Sequence, residues 1–217
     1  MKLELVSFAL CPFVHRATTM LREKGCAFEI RYIDLKRKPD WFLAISPRGR
    51  VPVLLADGTA IFESAVINEF LDETQPPRLL PDDPFERARQ RAWVEVANDL
   101  FAANYDLRLA KTPADLDAGI GKIGAILGRF EEAVRGPFFA GEAFGLVDAA
   151  VAPAFYRFAI VEARTSLRLY QGLPKVAAWA HALATRPSVA KGVPPEFEDV
   201  MIALLRESGG VLGTRLR

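Results

Sequence analysis

Leu10-Cys11-Pro12-Phe13-Val14-His15-Arg16 joins a strand-like run, Leu3 to Phe8, to a segment with helical periodicity. Proline suits a first helical position, because it has no N–H to leave unsatisfied there and its φ is already fixed. Cys11 is thereby expected at the N-cap, beside unpaired N–H groups and the positive end of the helix dipole. A thiol in that place is driven toward thiolate, the form that attacks sulfur and carbon electrophiles. The same residues also admit a buried structural cysteine, a common fate for a free thiol.

The neighbouring residues extend a recognisable order. Ala17 to Lys24 continues the helix and Gly25 is a natural stop. Phe28 to Ile33 alternates as a second strand, and a strand–helix–strand unit of this length makes the two strands parallel. Pro39 opens a short helix, Asp40 to Ile45. Ser46 to Arg50 is loop, and Val51 to Leu55 is a strand with proline at its second position, which argues against a central strand. Asp57-Gly58 is a hairpin turn leading into Thr59 to Phe62. Ala65 to Glu73 is an amphipathic helix with Val66, Ile67, Phe70 and Leu71 as its stripe. The order through Glu73 is βαβαββα.

Thr74 to Pro84 carries four prolines and no period, so it divides the chain. Residues 1–75 form an α/β unit, 76–84 a linker and 85–217 an all-helical unit. The helices expected there are Phe85 to Lys111, Ala114 to Arg135, Leu146 to Arg164, Pro174 to Thr185 and Phe197 to Glu207, with a fraying tail. Gly119, Gly121, Gly124 and Gly128 within one helix point to close packing against a neighbour.

Composition excludes several functions. Of 217 residues, 51% are hydrophobic and 25% charged, which is globular material; 28 basic against 27 acidic residues leave +1, too little charge for a nucleic-acid partner. The two cysteines, Cys11 and Cys26, form neither a Cys-x-x-Cys pair nor a disulfide framework, and with two histidines they do not make a zinc site. Cys26 reads as inert. Glu4 interrupts any leader-like apolar core, and Val147 to Ile160 is broken by Asp148, Pro153 and Arg157, short of the ~20 apolar residues of a membrane span. A soluble protein of a reducing cytoplasm, without a metal or membrane partner, is expected.

The set Cys11-Pro12-Phe13, Lys38-Pro39-Asp40-Trp41-Phe42, Gly49-Arg50-Val51-Pro52-Val53-Leu54, Glu63-Ser64-Ala65 and Gly145-Leu146-Val147-Asp148 with Pro153 spans essentially the whole chain. In this order it resembles the cytosolic glutathione transferases of the cysteine type, nearest the omega class, with the dehydroascorbate reductase and lambda classes beside it. The resemblance implies a thioredoxin-like first domain with a mixed four-stranded sheet, which binds glutathione as co-substrate. It also implies a helical second domain shaping the other substrate's pocket, and a homodimer. Cys11 matches the reactive cysteine. Val51 matches the residue whose backbone pairs with the cysteinyl part of glutathione, and Pro52 the cis-proline that turns that backbone. Glu63 and Ser64 match the pair holding the γ-glutamyl end, Lys38 the cation for the glycine carboxylate, and Phe13 a cleft wall.

Chemistry agrees with these assignments. A zwitterionic γ-glutamyl end asks for a carboxylate beside N–H donors at a helix start, which Glu63 and Ser64 supply. Gly145 departs from the Ser or Thr usual at that N-cap in the family, and leaves Asp148 to cap backwards. Arg48 and Arg50 add positive charge that favours anionic co-substrates. Phe101, Tyr105 and Phe155 are candidates for the co-substrate pocket, with Tyr156 beside them, although helical aromatics more often fill cores. His15, four residues after Cys11, could pair with it catalytically or simply face solvent. The function expected is glutathione-dependent thiol–disulfide exchange on a disulfide or electrophilic substrate: thioltransfer, deglutathionylation and dehydroascorbate reduction, with weak conjugation. Conjugation or isomerisation of a specific electrophile, or a non-catalytic binding role, are the alternatives.

Overall fold

A computed structural model describes all residues, 1–217. The first half runs β1 (Leu3–Ser7), α1 (Pro12–Glu23), β2 (Glu29–Tyr32), α2 (Asp40–Ile45), β3 (Val53–Ala56), β4 (Thr59–Phe62) and α3 (Ser64–Thr74). The strands lie in the order β2-β1-β3-β4, with β1 parallel to β2 and antiparallel to β3. Asp57 and Gly58 turn β3 into β4 at φ 47° and 85°, the two positive values that a primed hairpin turn demands. The proline conflict resolves locally: β3 begins at Val53, one residue past Pro52, so the central ladder never needs the missing N–H.

Period-two alternation decides what each face of the sheet covers. Leu3, Leu5, Leu54 and Ala56 point to the side carrying α1 and α3, and join the main core. Val6 and Val53 point the other way and close over Phe42 of α2. The second half is helical: α4 (Pro84–Leu109), α5 (Pro113–Ala133), α6 (Leu146–Arg164), α7 (Pro174–Ala184), α8 (Pro187–Ala190), α9 (Phe197–Glu207) and α10 (Val211–Thr214). α6 packs on α1 as well as on α4 and α7, and a continuous core of 48 buried residues runs from Leu3 to Leu212. No helix is long and apolar enough to cross a membrane.

Several expectations need correction. Val66 lies on the outer face of α3, 53% exposed, so the stripe of that helix is narrower than its composition. Of the four α5 glycines only Gly119 is closely packed: a Cβ there would stand 3.2 Å from Leu107, whereas Gly121, Gly124 and Gly128 face open space. The tail does not fray. It forms α10, and the Arg217 N–H reaches the Arg164 carbonyl at 2.8 Å. The Pro-rich segment is also tied down. Asp72, in a 2.7 Å ion pair with Lys24 in which both side chains are 1% exposed, accepts the N–H groups of Leu79 and Leu80 at 2.7 and 3.0 Å.

Asp148 organises the helical half. Its carboxylate accepts the Gly145 N–H at 2.8 Å, the Phe139 N–H at 2.9 Å and the Trp179 indole N–H at 2.6 Å. Burial raises its pKa to about 6 against those three bonds. Replacing Asp148 by Ala strands three buried donors, each worth roughly 1–3 kcal/mol when left unsatisfied. A loss of about 3 kcal/mol or more is expected, read as a fall in melting temperature of about 6–12 °C. An unchanged melting temperature would refute the role.

Candidate active site

Cys11 is the N-cap of α1, extended at φ −73° and ψ 121°, with Pro12 opening the helix. Its Sγ lies 3.8 Å from the Val51 carbonyl, which precedes the cis bond to Pro52. The thiol is half-buried and free. Here the electrostatic expectation is overturned. Burial raises the Cys11 pKa, and the N–H groups of Val14 and Phe13, followed by Arg157 and Arg16, only partly oppose it. Desolvation beats the helix terminus, so the resting group is a thiol.

Beside Cys11 open two clefts that share Phe13 and Asn98. The first, about 410 Å³, is polar and takes in Arg16, Ser46, Arg48, Arg50, Val51, Pro52, Glu63, Ser64 and Glu95. Glu63 caps α3 at φ 67°, a left-handed conformation uncommon outside glycine and a form of strain that gathers at functional sites. Its carboxylate meets Arg48 at 2.7 Å. Ser64, the first residue of α3, is buried, and its Oγ accepts from Arg16 at 3.4 Å. Lys38 is exposed and stands outside the cleft wall. Its Nζ lies 3.5 Å from where a Cβ on Gly49 would be, on the turn that places Arg48 and Arg50 instead.

The second cleft, about 680 Å³, is largely apolar and has Cys11, Pro12 and Leu10 in its wall, with Phe101 and Tyr105 of α4 and residues of α9 and α10. Phe13 meets Phe101 edge-on at 5.0 Å. Tyr105 is 56% exposed, under the Arg108 guanidinium at 4.8 Å. Phe155, by contrast, is no pocket residue. It is fully buried against Trp179 at 5.0 Å and Tyr170 at 5.9 Å, because α6 is the central helix and that face looks into the helical core. Tyr156 packs on His15 and Phe197, outside both clefts.

His15 neither faces solvent nor serves Cys11. It is buried, with Nε2 donating to the Val189 carbonyl at 2.8 Å and Nδ1 accepting from Arg157 at 3.2 Å. Burial first, then Arg157, lowers its pKa to about 3. Arg157 also donates to the Leu10 carbonyl at 3.1 Å, so it holds the residue before Cys11. Arg16, buried beside Ala150, donates to that carbonyl at 3.1 and 3.2 Å and to Asn98 Oδ1 at 3.0 Å. Sequence reasoning missed Arg16, Arg157, Asn98 and Arg108. A signal existed for the first two, each a lone cation in an apolar run. No three of the histidines, cysteines and acids group as metal ligands would. Cys26 is half-buried, with its thiol pKa raised by burial.

A thioredoxin-like half with one thiol at its first helix, closed by a helical half to leave a polar and an apolar cleft, defines the glutathione-transferase class of fold. The comparisons agree. Residues 10–74 match the model of the glutathione S-transferase N-terminal domain and residues 113–182 that of the C-terminal domain. Glutathione S-transferase omega-1 of Sus scrofa is 30% identical over 193 residues, covering 87% of this chain and 79% of that protein. Glutathione S-transferase U19 of Arabidopsis thaliana is 31% identical, over 94% and 95%. Among solved structures, glutathione transferase Omega 3C from Trametes versicolor superposes with a TM-score of 0.80 at 32% identity, covering 88% of this chain and 89% of that one. Rice GST1 in complex with glutathione does so with 0.83 at 30% identity, covering 95% and 97%. The chain belongs to the cytosolic glutathione transferase superfamily.

Two measurements follow from the ionisation states. Alkylation of Cys11 by iodoacetamide in the ligand-free protein should rise with pH to a midpoint above that of an ordinary thiol; a midpoint near neutrality would contradict the buried-thiol state. For His15, the folded protein keeps the ring neutral down to about pH 3, while the unfolded chain takes up a proton below its ordinary 6.5. Stability is therefore lost as pH falls from 6.5 toward 3. Between about pH 7 and about pH 5 the wild type should lose about 2 kcal/mol more than His15→Asn in urea unfolding, and parallel losses would disprove it.

Proposed function

We propose that this transferase uses Cys11 for glutathione-dependent thiol–disulfide exchange. The observation that carries the reading is the position of one free sulfur where a polar cleft opens into an apolar one, with Cys26 elsewhere in the fold. The Cys11 thiolate attacks the glutathionyl sulfur of a mixed disulfide, forming Cys11–S–S–glutathione and releasing the substrate as a thiolate that takes up a proton. A second glutathione thiolate attacks that bond, giving oxidised glutathione and regenerating Cys11. Raising a thiol's pKa reduces its thiolate fraction but makes each thiolate more nucleophilic, so burial slows the step without abolishing it.

Glutathione occupies the polar cleft in this reading. Glu63 and Ser64 at the start of α3 take the γ-glutamyl end, the Val51 backbone before Pro52 the cysteinyl part, and Arg50, rather than Lys38, the glycine carboxylate, while Phe13 walls the thiol end. The rice relative solved with glutathione supports that ligand. Disulfide reduction, dehydroascorbate reduction and weak conjugation belong to the same reading, as does a reducing, cytoplasmic setting. A homodimer belongs to it too: β4, α3 and the start of α4 leave Phe62, Val66 and Phe85 exposed.

A second reading rests on the raised Cys11 pKa. A neutral S–H donates a hydrogen bond to the glutathione sulfur and polarises it for conjugation of an electrophile. Two variants separate the readings. Cys11→Ala and Cys11→Ser should both abolish reduction of a glutathione mixed disulfide, by about 100-fold or more, with glutathione affinity retained. Cys11→Ser should keep conjugation of a chloronitrobenzene, since a hydroxyl still donates. Mixed-disulfide turnover surviving in Cys11→Ala would sink the exchange mechanism.

A further inference from the structure

We propose that the second substrate is an organic anion, an apolar ring-bearing body with one carboxylate-type group received by Arg108 and Arg157. The inference rests on the apolar cleft beside Cys11 being the co-substrate site. That cleft, about 680 Å³, is the size of a drug-sized ligand. Its lining contains two arginines and no aspartate or glutamate. A cation kept at an apolar wall without a counter-ion carries an electrostatic cost that an incoming anion would relieve.

Neither arginine has a carboxylate partner. Arg157 is buried and donates only to neutral acceptors: the Leu10 carbonyl at 3.1 Å, the Pro153 carbonyl at 2.8 Å and His15 Nδ1 at 3.2 Å. Arg108 lies over the Tyr105 ring at 4.8 Å, and its guanidinium makes no hydrogen bond or ion pair within the chain. Some other arginines have carboxylate partners, Arg91 in Glu69, Arg164 in Glu198 and Arg186 in Glu23, whereas buried Arg16, like Arg157, is met by neutral acceptors. A guanidinium fork stacked on an aromatic ring is suited to a planar carboxylate. Phe101, Met201 and Leu204 supply apolar surface for the remainder of the ligand.

The test uses the full chain saturated with glutathione, titrated calorimetrically with biphenyl-4-carboxylate and with its neutral isostere biphenyl-4-carboxamide. The acid should bind about tenfold more tightly or better, with the preference shrinking as salt rises. Arg108→Gln, at a half-exposed position, should remove most of the preference by weakening the acid and not the amide, while glutathione affinity, measured separately, reports that the variant is folded. Equal affinities, a preference that survives Arg108→Gln, or no binding of the acid at about 1 mM would each overturn the proposal. The readout is binding without turnover. A failure of Cys11 exchange chemistry therefore leaves this result standing, and the reverse holds as well.

Discussion

A guanidinium cannot be buried without acceptors around it, and Arg16 finds its acceptors in both halves of the chain. It stands on α1, one turn beyond the thiol, and bonds Ser64 at the start of α3, Asn98 on α4 and the Ala150 carbonyl on α6. Its cation also faces the Phe13 and Phe101 rings at 5.6 and 5.0 Å. The polar cleft, the apolar cleft and the helix that carries Cys11 are thus referred to a single side chain. Arg157 does the same on the other side, holding Leu10 and His15 from α6. The two arginines hold the start of α1 between them.

This arrangement explains why the thiol is a thiol at rest. The N-terminus of α1 and two nearby cations all favour the anion, as the local sequence implies. Closing the helical half over the sheet removes water from the same atom, and that loss is the larger effect. The two forces originate at different levels: the first is set by residues 11–16, the second by the helical half, with Phe101 and Arg157 among its residues beside Cys11. A local reading therefore gets the direction of the Cys11 shift wrong.

The same division accounts for what the sequence discloses. Period-two runs, the Asp57-Gly58 turn and the Pro12 helix start are local devices, and the βαβαββα order follows from them. Glu63-Ser64 and Val51-Pro52 sit on those elements at loop boundaries, and the fold brings them to one cleft. Phe155 is not legible, since a nearly uniform apolar helix such as α6 gives no period from which to read its facing, and the structure turns that ring into the core. Lys38 lies off the cleft wall for another reason: Gly49 at φ 57° carries the chain around so that Arg48 and Arg50 reach it. The roles of Arg16 and Arg157 depend wholly on partners distant in sequence, and only their oddity within apolar runs hinted at them.

The continuous core has an implication for how such chains diversify. Because α6 packs on α1 within the same apolar mass that fills the sheet, the proline-rich segment is a change of architecture but not a seam. The Asp72 clasp on Leu79 and Leu80 stitches that segment to α3 and α1. Recombining the first half with a foreign helical half would mismatch a shared interior rather than exchange one module for another. Substitutions on α9, α10 and the C-terminal part of α4 reshape the apolar cleft while the α1–α6 contact stays untouched.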